Sequence, residues 1–303
     1  MTMHLAVALH GGTESGGAEL ARDAVRTART ARDLGYSGVV AGQHFFTAPQ
    51  GYLQPLPLLS RLVPETGDMR LVAGVLLLPL LHPLQLAEEL ATIDALSGGR
   101  LVVGAGQGYR DAEFAAFGVR KKDRLGAQLR ALDGMVAWWG GAVVEEAGTG
   151  LAMRPVSRPH PPIWYAAGNR RSFTRAAERG WTPFIGPQAT PSVITGLLAG
   201  EPRAASVALR RDVLVTDVIG TAAAERALQA RTAAYGAWGY GEAGAAEQPY
   251  LVGTARECRD RMAHLAAAGV TDLVIRTNWP GIEHAASLEM LAAVAGPVEP
   301  AGA

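Results

Sequence analysis

A closed barrel of eight parallel strands alternating with helices, the (β/α)8 or TIM barrel of the α/β class, is the fold that this sequence predicts. Eight short runs rich in Val, Ile and Leu alternate with longer segments of helical period. The runs are almost continuously apolar, as strands covered on both faces are. At 303 residues the chain suits one barrel of about 250 residues with insertions, and eight units favour closure over an open doubly wound sheet.

HLAVALH (4–10) is the first strand, and AELARDAVRTARTARDLG (18–35) a helix stopped by Gly35. GVVAGQH (38–44) is the second strand, followed by a helical segment in PLPLLSRLVPET. RLVAGVLLLP (70–79) is the third. HPLQLAEELATIDALSGG after it is an amphipathic helix with Leu86, Leu90, Ile93 and Leu96 on its apolar side. RLVVGAG (100–106) is the fourth, with a helix around 121–139. The rhythm then breaks: GGAVVEEAGTGLAMRPVSRPHPP (140–162), punctuated by Gly and Pro, reads as a hairpin insertion with an extended exit before the fifth strand. PIWYAAG (162–168), WTPFIG (181–186) and VALRRDVLVTD (207–217) are the fifth to seventh strands, with helices at 170–179, near 190–199 and from 221. VTDLVIRTN (270–278) is the eighth, between helices 254–268 and 282–295; 236–250 reads as a Gly/Ala-rich loop. One barrel domain is expected over 1–297, with a disordered tail at 298–303.

Hydrophobic residues make up 49% of the chain, enough for a large core, and 28 basic residues balance 28 acidic ones. Without a basic field, nucleic acid is not an expected partner. A single cysteine, Cys258, excludes an internal disulfide and a cysteine metal cluster, and its helical setting predicts a buried, inert thiol. The apolar runs at the start and at 75–84 are too short to span a membrane. The expected state is soluble and cytoplasmic.

In a barrel of this kind function concentrates where strands end, at the C-terminal mouth. A binuclear metal centre needs a His-x-His pair on the first strand, which here offers only ALHGG. GAGQGYRD (104–111) places three alternating glycines after the fourth strand, but Tyr109 stands where a dinucleotide fingerprint requires its third glycine. Those glycines either face a ligand or permit tight packing at the mouth. GNRRS after the fifth strand opens a helix, where free N–H groups and partial positive charge suit a phosphate. There Asn169, Arg170 and Ser172 form either a phosphate cradle or an ordinary helix cap. Two such loops on one face, with an apolar cavity between, suit flavin mononucleotide (FMN).

HPLQLAEELATIDALSGGRLVVGAGQGYRDAEFAAFG (82–118), AAERG (176–180) and LVGTARECRDRMAHLAAAGVTDLVI (251–275) resemble the bacterial luciferase-like flavin monooxygenases. The resemblance implies a luciferase-like barrel, usually dimeric, with helices 55–66 and 82–97 near the dimer contact and the flavin at the mouth. It places the ring over the third strand, beside a non-prolyl cis peptide within Ala73–Leu76, with Gly74 and Val75 as contacts. His44, in GQHFF, matches the family histidine that serves as acid or base, a role that an imidazole of pKa about 6.5 can fill at neutral pH. Gln43 stands where luciferase has Glu, Gln107 replaces an arginine on the phosphate side, and Gly106 replaces a cysteine. The resemblance therefore assigns His44 and Gln43 to catalysis. It assigns Gly74, Val75, Gln107, Tyr109, Arg124, Ala167, Gly168, Asn169, Arg170 and Ser172 to the cofactor, with no metal.

The implied activity is a two-component monooxygenase, with reduced FMN supplied by a separate flavin reductase. It would insert one oxygen atom of O2 into a small organic substrate. A deazaflavin-dependent dehydrogenase or reductase of the same superfamily, and a flavin-binding protein without turnover, are the alternatives. Phe45, Phe46, Tyr52, Tyr109, Trp164, Trp238, Tyr240 and Trp279 either line an apolar or aromatic substrate pocket or belong to the core.

Overall fold

The computed structural model describes residues 2–9, 16–48, 50–200, 202–237 and 249–301. The eight expected strands are present as His4–Ala8, Gly38–Ala41, Arg70–Leu77, Leu101–Gly106, Ile163–Ala166, Thr182–Ile185, Ala208–Val215 and Asp272–Arg276. Each pairs in parallel with the next, and Asp272–Arg276 pairs with His4–Ala8, His4 opposite Asp272, so the sheet closes. A (β/α)8 barrel results.

Closure divides the apolar residues into two sets. Ala6, Ala8, Val40, Val72, Val102, Trp164, Phe184, Ala208 and Val274 fill the barrel interior. A larger set, including Leu59, Leu71, Leu90, Leu101, Tyr165, Leu209 and Ile275, packs between strands and helices. Burying each such side chain stabilises the fold by about 2 kcal/mol. Because side chains alternate along a strand, the residues two places beyond Ala208 and Val274 also point inward. The interior thus holds Arg210, Asp212 and Arg276 at its C-terminal end. At the opposite end Arg70 pairs with Asp272 at 2.5 Å.

The helix Pro83–Leu96 begins with proline at its first position, where no N–H is needed. It buries Leu86, Leu90 and Ile93, whereas Leu96 is exposed, because the last turn buries Ile93, Asp94 and the following Ser97, and Leu96 lies off that face. The insertion forms a two-stranded antiparallel hairpin, Val143–Val144 with Thr149–Gly150. Its extended exit is anchored by Asp94, which accepts from the Ser157 N–H at 2.9 Å and hydroxyl at 2.8 Å.

Two features depart from expectation. Leu251–Gly253 is an additional short strand, pairing with the far end of the seventh barrel strand, Leu251 opposite Val213. The chain end is docked over 298–301, not disordered: Val298 is buried and bridges Met3, and the Ala301 N–H donates to Ala263 O at 3.1 Å. No helix among the described residues is long and apolar enough to cross a membrane.

Candidate active site

The second strand ends at Ala41, and the chain turns across the mouth through Gln43 and His44. His44 Nδ1 lies 3.0 Å from Glu113 Oε1. Glu113 is fully buried on the short helix Asp111–Ala116 and also accepts the Phe45 N–H at 2.9 Å. Arg110, one turn earlier, reaches the same oxygen at 3.4 Å and donates to Phe45 O at 2.6 Å. Burial pushes the Glu113 carboxyl up, but the His44 and Phe45 hydrogen bonds and the charges of His44 and Arg110 prevail and hold it below the usual carboxylate range. Its second oxygen takes no hydrogen bond among the described residues. Tyr52 and Tyr109 meet the imidazole edge-to-face, with centroids at 5.4 Å and 5.7 Å.

Gln43 plays a different part from its neighbour. It is buried, its carbonyl accepts the Leu77 N–H at 2.9 Å and its amide donates to Gln54 at 3.3 Å. Gln54 in turn donates to His44 O at 3.0 Å. Gln43 therefore ties the second strand end to the third and positions His44.

The Gly74–Val75 peptide is cis, within the expected segment, and the register of the third and fourth strands shifts between Ala73 and Leu76. The alternating glycines serve this segment. A Cβ on Gly104 would lie 2.7 Å from both Ala73 O and Gly74 Cα, and one on Gly106 would lie 2.5 Å from Val75 Cγ2. They permit tight packing at the mouth, and Val75 forms the half-buried surface above them.

The fifth-strand loop forms a helix cap. Asn169 accepts the Ser172 N–H at 3.0 Å and Ser172 Oγ accepts the Asn169 N–H at 3.2 Å, a reciprocal capping box. Arg170 donates to Gly196 O and lies over the Phe173 ring. Among the described residues the Arg124 side chain donates only to Lys121 O, at 3.4 Å, and Gln107 is half-buried on the fourth-strand loop. Ala167 is buried and Gly168 exposed just before the cap.

A cavity of about 410 Å³ opens beside His44, lined by residues of the first, seventh and eighth strands. His44, Tyr52, Trp279, Arg210, Arg231 and Arg276 line it, and none of the expected cofactor residues does. Of the other expected aromatic lining, Trp164 lies in the barrel interior. Phe45 packs on Phe117, and Phe46 is 63% exposed. Trp238 and Tyr240 lie outside the described residues. Glu113, Arg210 and Arg231 were not singled out for chemistry from sequence, although Arg110 and Glu113 stand one helical turn apart and Arg210 and Asp212 interrupt an apolar run at strand spacing.

Residues 1–200 match the model of the luciferase-like monooxygenase family. The chain belongs to that family. It is 27% identical over 196 residues to the uncharacterized protein y4vJ of Sinorhizobium fredii, covering 62% of this chain and 56% of that protein. It is 30% identical over 166 residues to the oxygenase component of the flavin-dependent trigonelline monooxygenase of Acinetobacter baylyi, covering 50% of this chain and 45% of that one. The chain thus spans about half the length of the curated relatives it matches. Among solved structures, the monooxygenase RslO1 of Streptomyces bottropensis superposes with a TM-score of 0.83 at 24% identity, over 95% of this chain and 96% of that one. An F420-dependent secondary alcohol dehydrogenase superposes at 0.76 and 15% identity, over 98% of this chain and 100% of that one, so the barrel is shared across cofactors.

Proposed function

We propose that the chain is the oxygenase of a two-component system, receiving reduced FMN from a separate flavin reductase and transferring one oxygen atom of O2 to a small organic substrate. The observation that carries this reading is the His44–Glu113 pair, with His44 on the cavity wall. The residues fit the group. Val75 and Tyr109 offer an apolar edge for a flat ring. At the helix Arg170–Glu178 the Asn169 side-chain carbonyl oxygen and the Ser172 hydroxyl form the capping box, while the Arg170 and Arg171 N–H groups, in the first turn, have no intrahelical acceptor and suit a phosphate.

Bound reduced FMN supplies the electrons that activate O2. The chain's part is to bind, orient and manage a proton. An ionised Glu113 only accepts hydrogen bonds, so it holds His44 as the Nδ1–H tautomer and leaves Nε2 to take or give a proton. Gln43 and Gln54 fix the backbone that carries His44. Tyr52 and Tyr109 limit access of water to the ring.

Anaerobic titration with reduced FMN and with reduced deazaflavin tests the reading. Tighter binding of FMN, with O2-dependent product formation lost in His44→Asn, supports it. Tighter binding of the deazaflavin moves the chain to the dehydrogenase reading. A homodimer and a cytoplasmic location accompany the proposal.

A further inference from the structure

We infer that the cavity beside His44 recognises an organic anion through Arg276, assisted by Arg231 and Arg210. This deepens the proposed function by naming the substrate class.

Arg276 ends the eighth barrel strand and points inward at the mouth. It is 8% exposed, yet its only partner among the described residues is Asp212, at 3.9 Å. That is an ion pair too long to be a hydrogen bond, and the buried Nε has no acceptor. Arg231, 7% exposed on the helix Thr221–Ala237, also reaches Asp212 only at 3.8 Å through Nε. Its terminal nitrogen donates to Asn278 O and its guanidinium lies over Trp279, 5.0 Å from the centroid. Arg210 is the third, 3.2 Å from Asp212. All three line the cavity; Asp212 does not, and sits behind them. The hydroxyl of Ser287, buried in the same wall, also takes part in no hydrogen bond among the described residues.

Arg276 and Arg231 reach Asp212 only at 3.9 Å and 3.8 Å, a costly arrangement in an interior, where an imperfectly paired charge loses its water without a full replacement. A bound anion supplies the missing acceptor. The fork of donors on Arg276 suits a carboxylate or sulfonate, and Tyr52 and Trp279 suit an aromatic or apolar body behind it. Glu19, Asp23 and Glu283 also line the cavity, but Glu19 and Glu283 are exposed and Asp23 is half-exposed. Their repulsion is screened by solvent, whereas the arginines act at depth.

The test is calorimetric titration of the full chain, with and without bound FMN, using benzoate, benzamide and inorganic phosphate. Benzoate is expected to bind at least about tenfold more tightly than benzamide, as a charge-assisted hydrogen bond implies. R276M should remove that preference, and R276K should restore part of it. Methionine keeps much of the volume without the charge, and R231M probes the same cavity from a helix, so misfolding of one variant leaves the other informative. Equal binding of benzoate and benzamide, or a preference untouched in both variants, overturns the inference. So does phosphate or benzoate competing with FMN, which would make the arginines the cofactor's phosphate site. If no flavin binds but benzoate still depends on Arg276, the proposed function fails and the anion site stands.

Discussion

His44 Nδ1 lies 3.0 Å from a carboxylate oxygen of Glu113, a residue with no solvent exposure. A depressed carboxyl pKa keeps Glu113 ionised, so the proton of that bond resides on His44 and the basic nitrogen is Nε2.

The first prediction concerns that tautomer. Long-range proton–nitrogen NMR of the wild-type protein should show His44 protonated at Nδ1 when neutral. In E113Q the amide can donate as well as accept, and a mixture of tautomers should appear. Turnover in E113Q should fall by at least about 10- to 100-fold, the scale seen when the carboxylate behind a metal-bound histidine is removed. An unchanged tautomer in E113Q would remove Glu113 from the mechanism.

Acid stability follows from the same group. A carboxyl with a folded pKa below its unfolded value, about 4.3 for Glu, contributes stability above that unfolded value and loses it as pH falls through the folded one. Melting temperatures measured from pH 6 downward should therefore decline more steeply in wild type than in E113Q below about pH 4.3. Parallel curves would mean that the hydrogen bonds to Glu113 do not favour its ionised form.

The mouth glycines separate by what their Cβ would strike. At Gly104 the obstruction is backbone, Ala73 O and Gly74 Cα, both at 2.7 Å. At Gly106 it is the Val75 side chain at 2.5 Å. G104A should cost about 1–3 kcal/mol or more in urea unfolding, as overpacking does. G106A should cost less, and V75A should rescue G106A but not G104A, giving a coupling of about 0.5–3 kcal/mol for the touching pair. Rescue of G104A by V75A would contradict this geometry.

The barrel was legible because strands covered on both faces must be apolar, and the mouth histidine because a family block surrounds it. What was hidden depends on contacts between distant segments. Glu113 faces helix and strand end across 69 positions, and nothing in DAEFAAFG names His44 as its partner. Arg210 and Arg276 converge only once the seventh and eighth strands pair with Val274 opposite Arg210. The strand Leu251–Gly253 is three residues long, too short for periodicity to distinguish it from a loop. The loop GNRRS was ambiguous for a chemical reason: the side chains that cap a helix are those that bind phosphate.

The thiol of Cys258 gives a check on packing away from the site. It is fully buried against the seventh strand, and burial pushes its pKa up to about 11. Native protein at pH 8 should resist iodoacetamide, and unfolding in guanidinium should expose one reactive thiol. Rapid native labelling would mean that the helix Ala255–Ala267 opens readily.

The last prediction separates cap from cofactor at Asn169. Asparagine and aspartate cap helices about equally well, so N169D should keep stability within about 0.5 kcal/mol, whereas N169A should lose about 1 kcal/mol. If a phosphate meets the first-turn N–H groups of the helix Arg170–Glu178, the new negative charge of N169D opposes it. FMN affinity should then fall about tenfold while riboflavin, which lacks the phosphate, binds as before. An equal loss for both flavins would place the charge against the ring or ribityl chain instead. No loss for either would move the phosphate away from the fifth-strand loop.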